Sequence, residues 1–275
     1  MIDRIFLPSP VLSDVVAYYL YYKIAPTQSA IQHYATPLMQ GLVFNFNPQP
    51  QHHTFNNKTL TLQKQAYFFG QCTCPRVVTE DHNGVEVVGV MFKPLGITKI
   101  TGINMEHMAN QIIAADDIWG NRLEFLSDAM QSASSLEDAI TVLENFLIEE
   151  YLGTNLKSRI DTIRYVLSLI TEQKGNIPVK LLQEKTSTTR KTLERSFMHG
   201  VGIHPKLYAR IVRFNAIKEQ IDRHPCSTNL TLLALDFGFY DSSHFSAEFR
   251  NFCGITPTEY LNNKRQLYFS TILQS

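Results

Sequence analysis

The chain has 275 residues, 44% of them hydrophobic, which fits two domains better than one and allows sizeable cores. No apolar run approaches the roughly 18–20 residues of a membrane-spanning helix, and no charged segment followed by a long apolar stretch marks a secretory leader. The net charge of zero hides a division: residues 1–154 carry 8 Lys and Arg against 15 Asp and Glu, and residues 155–275 carry 17 against 10.

The basic excess of the second half is what phosphate neutralisation requires, whereas a merely solvated surface needs none. The four cysteines, Cys72, Cys74, Cys226 and Cys253, show no paired framework, so a reduced, cytoplasmic setting is the simplest reading.

In chain order, residues 11–24 are tyrosine-rich and read equally as helix or strand. Strand-like alternation follows at 41–46, 59–62, 66–69 and 85–92, with a polar loop at 47–53. Several short strands separated by turn residues predict a small antiparallel sheet or barrel. Core packing is the default for Tyr19, Tyr22, Phe44, Phe46 and Tyr67, and a ligand pocket is the alternative. His33, His52 and His53 read as loop or surface residues rather than ligands. Cys72-x-Cys74 with a distant His82 lacks zinc-ligand spacing. Neither an H-x-H metal set nor a Gly-x-Ser-x-Gly elbow occurs, so no catalytic residue, metal or cofactor is expected.

Two helices close this half, at 121–131 and 136–151, the second capped by Ser134 or Ser135. Its stripe of Leu136, Ile140, Leu143, Leu147 and Ile148 can pack on its own sheet, form a dimer seam, or do both. Gly153-Thr-Asn155 is the best boundary, giving an N-terminal domain over 1–152, a linker over 153–157, a helical domain over 158–264 and a tail over 265–275.

The helical domain opens with Ile160, Ile163, Val166, Leu167 and Ile170 on one face. Residues 177–197 then read as a helix-turn-helix. Leu181 and Leu182 anchor the first helix, Thr188 or Thr189 caps the second, and Leu193 and Phe197 face inward. A helix over 206–223 follows, with Leu207, Ile211, Phe214 and Ile221 inward; at 1.5 Å per residue it spans about 27 Å. A second helix-turn-helix lies at 230–253. Leu232, Leu233 and Leu235 form its first apolar segment, Gly238 permits a positive φ at the turn, and Asp241 caps a helix with Phe245, Phe249 and Phe252 on one face. Thr256-Pro-Thr-Glu259 is a capping box with proline at the first helical position. Gly202-Ile-His-Pro205 matches Gly254-Ile-Thr-Pro257, and Tyr208 matches Tyr260. This internal repeat is far more specific than either copy.

These residues resemble the DNA-binding domain of the AraC/XylS family of bacterial transcription regulators over 158–264. The Gly238-Phe-Tyr-Asp-Ser-Ser-His-Phe245 and Gly254-Ile-Thr-Pro-Thr-Glu-Tyr260 segments carry the likeness most strongly. Three positions depart from it: Gln183 replaces a small alanine, Ser187 a turn glycine, and His204 a serine or threonine. Gly89-Val-x-Phe92-Lys-Pro-x-Gly96 and Asp117-Ile-Trp-Gly120 resemble an N-terminal module often found ahead of such domains.

The resemblance implies an α+β chain, in which a β-rich sensor or dimerisation domain precedes an all-α domain with two helix-turn-helix units joined by a long helix. It implies a sequence-specific DNA-binding regulator with recognition helices at 189–199 and 242–252, in successive major grooves about 34 Å apart. Base-contact positions would be Thr189, Arg190, Lys191, Glu194 and Arg195, then Ser242, Ser243, His244 and Ala247. Arginine and lysine suit guanine O6 and N7, and glutamate suits cytosine N4, whereas the second set is short; the first unit should read more strongly. Arg195 could equally pair within the protein. Phosphate contacts would fall to Arg210, Arg213, Arg250, Lys264 and Arg265.

Implied partners are double-stranded DNA, a small-molecule effector, a homodimer through 121–151 and, for an activator, RNA polymerase. Two other readings remain. One is a sensor whose DNA-binding domain is inhibited or vestigial. The other is the zinc-bound cysteine methyl acceptor that some members carry for DNA repair, which lacks its C-x₂-C spacing here.

Overall fold

The computed structural model describes residues 3–24, 30–46, 51–55, 58–62, 65–80, 84–154, 160–224 and 228–262. The strands among these residues are β1 (Arg4–Phe6), β2 (Val16–Ile24), β3 (Ala30–Tyr34), β4 (Gln40–Asn45), β5 (Gln51–Phe55), β6 (Lys58–Leu62), β7 (Ala66–Phe69), β8 (Arg76–Glu80), β9 (Val85–Phe92) and β10 (Ile112–Ala114). They form two antiparallel sheets, ordered β1-β2-β9-β4-β7-β10 and β3-β8-β5-β6.

Side-chain alternation gives the larger sheet two apolar faces. Leu42, Phe44, Phe68, Val88, Val90 and Phe92 share one core with the helices that follow the sheet. Val43, Tyr67, Phe69, Val87 and Met91 point the other way, with Leu62 of β6 packed against them. An irregularity in the β2–β9 register between Val16 and Tyr18 shifts the parity, so Val16 and Tyr19 both join the helix-side core.

That core is closed by α1 (Gly96–Thr101), α2 (Asp116–Trp119), α3 (Asn121–Gln131) and α4 (Leu136–Gly153). Trp119 sits between the rings of Phe68 and Phe146, at 5.0 and 4.9 Å. Ser135 caps α4 by accepting from the Asp138 amide at 3.1 Å. Ala139, Ile140, Leu143 and Leu147 are buried against the sheet. The α4 stripe therefore packs on its own domain.

The C-terminal part is α5 (Ile160–Glu172), α6 (Val179–Thr186), α7 (Arg190–Val201), α8 (Pro205–Arg223), α9 (Leu230–Asp236), α10 (Ser242–Cys253) and α11 (Pro257–Asn262). All five apolar residues of the α5 stripe are buried. Their cluster runs through Leu193, Phe197, Phe214, Phe245, Phe249 and Phe252, and it also takes in Ala35 and Leu95 from the N-terminal part.

Several expectations need correction. The ambiguous segment 11–24 is a turn leading into β2, not a helix. The polar loop of 47–53 gives way to β5 at Gln51, a strand hidden by its Gln-His-His-Thr composition. His33 lies on β3 and His52 and His53 lie on β5, so none is a loop residue; His52 Nδ1 meets the Thr61 hydroxyl at 3.0 Å across the β5–β6 pair. Leu181 is exposed, and Leu232 and Leu235 are each 58% exposed, leaving Leu182 and Leu233 with Ala234 as the buried anchors. The α4 helix runs through Gly153, and 155–159 lie outside the described residues, as do His82 and Cys226. No helix among the described residues is long and apolar enough to cross a membrane.

Candidate nucleic-acid interface

Each recognition helix is fixed by its own cap. In the first unit, Ser187 ends α6 in the left-handed region at φ 51°, doing with a Cβ what a turn glycine does without one. Thr189 then caps α7, its hydroxyl accepting from the Thr192 amide at 3.2 Å. With Leu193 and Phe197 buried, the outward positions of the first two turns are Arg190, Lys191 and Arg195, all exposed, and the half-buried Glu194. Arg190 Nε donates to Glu194 at 2.8 Å, which hydrogen bonding to Glu194 and its charge translate into a raised Arg190 pKa. Thr189 is thus engaged as a cap rather than free to reach a base.

In the second unit, Gly238 makes the turn at φ 74°, where an added Cβ would lie 2.8 Å from the Asn176 amide. Asp241 caps α10 by accepting from the His244 amide at 2.6 Å. Phe245, Phe249 and Phe252 are buried, and Ser242, Ser243, His244 and Ala247 are exposed on the other side. The His244 ring meets the edge of Phe239 at 5.3 Å. Tyr240, immediately before the cap, is 91% exposed. The sequence singled out its neighbours Phe239 and Asp241 but not this residue; an aromatic side chain between a phenylalanine and a capping aspartate was the available signal.

The helix α8 binds α10 through charge as well as packing. Phe214 meets Phe249 and Phe252 at 5.2 and 5.5 Å. The buried Glu248 accepts from Arg210 Nε at 2.8 Å and Nη2 at 2.6 Å, with Arg213 at 3.6 Å. Burial alone would raise the Glu248 pKa, but the hydrogen bonds and charge of Arg210, with the charges of Arg213 and His244, outweigh it and hold the carboxyl below its usual range. Arg213 retains only 15% of its side-chain exposure, and its guanidinium lies 4.3 Å from the Phe239 ring centroid. Arg210 and Arg213, expected at phosphates, are therefore turned into this joint. Arg250 is exposed, while Lys264 and Arg265 lie outside the described residues.

The two units are capped unequally afterwards. Thr256 and Glu259 form the reciprocal box, with amide-to-side-chain bonds of 2.7 and 3.2 Å. His204, at the matching place before α8, makes no side-chain cap bond. Tyr260 closes the second unit by donating to Asp222 at 2.7 Å.

The N-terminal part reaches the C-terminal end of both recognition helices. Thr98 of α1 donates its hydroxyl to the Gly200 carbonyl at 3.0 Å, and Gln40 of β4 donates from Nε2 to the Val201 carbonyl at 3.1 Å, both at the end of α7. Thr36 donates its amide and its hydroxyl to the Phe252 carbonyl near the end of α10, at 2.8 and 3.0 Å. Asn215 of α8 returns a bond to the Thr36 carbonyl at 3.1 Å. Gly200 sits so close to Leu95 that a Cβ there would fall 2.7 Å from Leu95 Cδ2.

The five aromatic residues considered for a pocket are not brought together. Tyr19 and Phe44 lie on the helix side of the large sheet, and Tyr22 and Tyr67 on the opposite side. Phe46 instead borders a cleft of about 540 Å³ between the sheet end and the α3–α4 turn, with Arg4, Tyr21, Glu86, Met130 and Leu136. Arg4 is already paired there with Glu137, and Glu86 with Lys23. Cys72, Cys74 and Cys253 are buried free thiols; burial pushes Cys72 up and Cys253 up to about 12.

Two helix-turn-helix units on one joining helix define a tandem helix-turn-helix protein. Residues 182–263 match a family described as a helix-turn-helix domain, and residues 4–114 match a domain of unknown function, DUF6597. The HTH-type transcriptional regulator ArgR of Pseudomonas aeruginosa is 30% identical over 84 residues, 30% of this chain and 25% of that protein. The XylDLEGF operon transcriptional activator 1 of Pseudomonas putida is 27% identical over 123 residues, 42% of this chain and 37% of that protein. The matched stretches thus span about a quarter and just over a third of the length of these relatives. ToxT from Vibrio cholerae O395 is similar in structure at 12% identity and a TM-score of 0.47, covering 90% of this chain and 98% of that one. The AraC-like transcriptional activator CuxR is similar at 9% identity and a TM-score of 0.34, covering 74% and 78%. The C-terminal part of this chain is an AraC-type helix-turn-helix domain.

Proposed function

We propose that this chain is a cytoplasmic, sequence-specific transcription regulator that lays α7 and α10 into successive major grooves of double-stranded DNA. The observation that carries this is the duplicated unit itself. In each copy the apolar face of the second helix is buried, its first turns carry exposed polar side chains, and one helix joins the two copies. Lys191, Arg190, Glu194 and Arg195 have the reach and directionality for base edges. Ser242, Ser243, His244 and Ala247 contribute shorter contacts. Arg250, Lys264 and Arg265 serve phosphates, and the Tyr240 hydroxyl joins them as a neutral phosphate donor.

The N-terminal domain modulates binding, through an effector or through a second copy. For the effector the cleft at Phe46 is the available space. For a homodimer through 121–151, Phe125 on α3 and Leu152 on α4 are 73% and 72% exposed. An activator of this build would also touch RNA polymerase.

The test is fluorescence anisotropy with labelled double-stranded genomic fragments across a salt series. Affinity should fall steeply with salt, since the basic half displaces counterions. A log–log slope near zero between low and physiological salt would remove the electrostatic basis of this reading. No binding at any salt would favour a sensor whose DNA-binding domain is inhibited.

A further inference from the structure

We propose that Thr36, Gln40 and Thr98 of the N-terminal domain are positioning residues for DNA recognition, capping the C-terminal ends of both recognition helices and so fixing the separation at which α7 and α10 meet DNA. The proposal rests on the DNA-binding reading above and adds to it where the two-helix geometry is set.

The last carbonyls of a helix lack intrahelical partners. For α7 and α10, three of those carbonyls are satisfied from another domain: Gly200 by Thr98, Val201 by Gln40 and Phe252 by Thr36. All three donor residues are essentially buried, at 1, 1 and 0% exposure. Thr36 lies on the short connection after β3 and Gln40 opens β4, four residues further on. An extended chain of that length spans at most about 14 Å, so the far ends of the two recognition helices are tied to points no further apart than that. The opposite ends, where base-reading side chains lie, are left uncovered.

Two unfavourable features sit at the same contact. Among the described residues the buried Gln40 Oε1 has no hydrogen-bond partner. Leu95, which packs into the helical core beside Gly200, holds a left-handed backbone at φ 74°. An apolar residue at position 40 would carry no orphan oxygen but would leave the Val201 carbonyl unpaired, so the glutamine is kept for the bond that it makes to α7. The joining helix α8 connects the two units in sequence and packs against both; the N-terminal domain supplies a second tie at their far ends, with Asn215 of α8 bonding the same connection.

The test uses the full chain and a DNA ligand that it selects for itself from a randomised double-stranded library. The selected sequence is then made with one or two base pairs inserted between its two contacted segments. Each inserted pair turns one segment by roughly a tenth of a helical revolution relative to the other. Wild type should lose at least about tenfold in affinity on insertion, and the double variant Gln40→Leu/Thr98→Val no more than about threefold. Gln40→Leu alone removes an orphan oxygen but also leaves the Val201 carbonyl without its donor, so its melting midpoint should fall only modestly; measuring spacing dependence well below that midpoint separates positioning from simple destabilisation and serves if the double variant does not fold. Thr98→Ser, which keeps the hydroxyl, should restore the wild-type spacing dependence.

Spacing discrimination by Gln40→Leu/Thr98→Val, or by Gln40→Leu alone where the pair does not fold, as sharp as wild type would overturn the proposal while leaving DNA binding intact. So would identical behaviour of Thr98→Val and Thr98→Ser. Failure of wild type to select any sequence would instead overturn the DNA-binding reading, and this proposal with it.

Discussion

At the level of single residues, the first unit carries the stronger reading chemistry on the weaker local frame. Lys191 is long, exposed and one turn from Arg195, whereas Ser243 is short. On the proposed interface, Lys191→Ala should relax preference over one segment of the operator at a cost of about 1–3 kcal/mol, and Ser243→Ala should cost less and shift preference little. A base-substitution scan of the selected sequence decides it. Uniform loss across all bases for Lys191→Ala would mean that this lysine meets only phosphate. Ser187 makes a second residue-scale test. It takes a left-handed backbone with a Cβ, which costs about 1–2 kcal/mol, partly offset because glycine loosens the unfolded chain. Ser187→Gly should therefore raise stability by about 0.5–1 kcal/mol, seen as a higher midpoint in urea unfolding; a lower midpoint would mean the serine hydroxyl matters more than the backbone.

At the level of elements, the joint between α8 and α10 is held by charge and is therefore sensitive to acid. Glu248 is held ionised below its usual range by Arg210 first and Arg213 second, against its own burial. A folded-state carboxyl pKa below the unfolded value near 4.3 stabilises fully above that pH and loses its contribution as pH falls through the folded value. Glu248→Gln should thus lower the melting midpoint at neutral pH, with the gap to wild type closing below about pH 4. Glu248→Ala should cost about 3 kcal/mol, because Arg213 would remain largely buried without a counter-charge. A midpoint gap independent of pH would show that shape, not charge, holds the joint.

The same scale shows what the sequence made legible. Periodicity and apolar runs placed β7, β9, α3 and the α5 face correctly, because the two strands are near-continuous apolar runs buried on both sides and the two helices bury one stripe. They missed β5, whose Gln-His-His-Thr-Phe composition gives no apolar signal, and the three-residue strands β1 and β10, too short to show alternation. Core packing, the default for the aromatic residues, holds for Tyr19, Phe44, Tyr22 and Tyr67, while the pocket alternative could not be judged from sequence because Tyr19 and Tyr22 stand on opposite faces of the same strand. Arg210 and Arg213 looked like phosphate ligands because their partner, Glu248, lies 38 residues beyond Arg210, a pairing no local pattern reveals.

At the level of the whole molecule, the N-terminal and C-terminal parts are joined by packing as well as by the chain. Ala35 and Leu95 belong to the helical domain's core, and the ends of α7 and α10 are capped from outside it. A fragment of residues 155–275 should still fold, since α5 to α11 bury their own apolar faces against each other. It should melt below the full chain, having lost Leu95, whose burial is worth about 2 kcal/mol, and the donors at three carbonyls. Circular dichroism of the two proteins makes the comparison; equal midpoints would mean that the interdomain contact contributes nothing to stability.

The connection from Thr36 to Gln40 is the feature with the widest consequence. Its two ends grip different recognition helices, so its contour length acts as a gauge. A residue added within it would lengthen that gauge without touching a single base-reading side chain. Operator geometry could then drift across descendants through changes in a segment remote from DNA, while the vocabulary of bases recognised stayed the same.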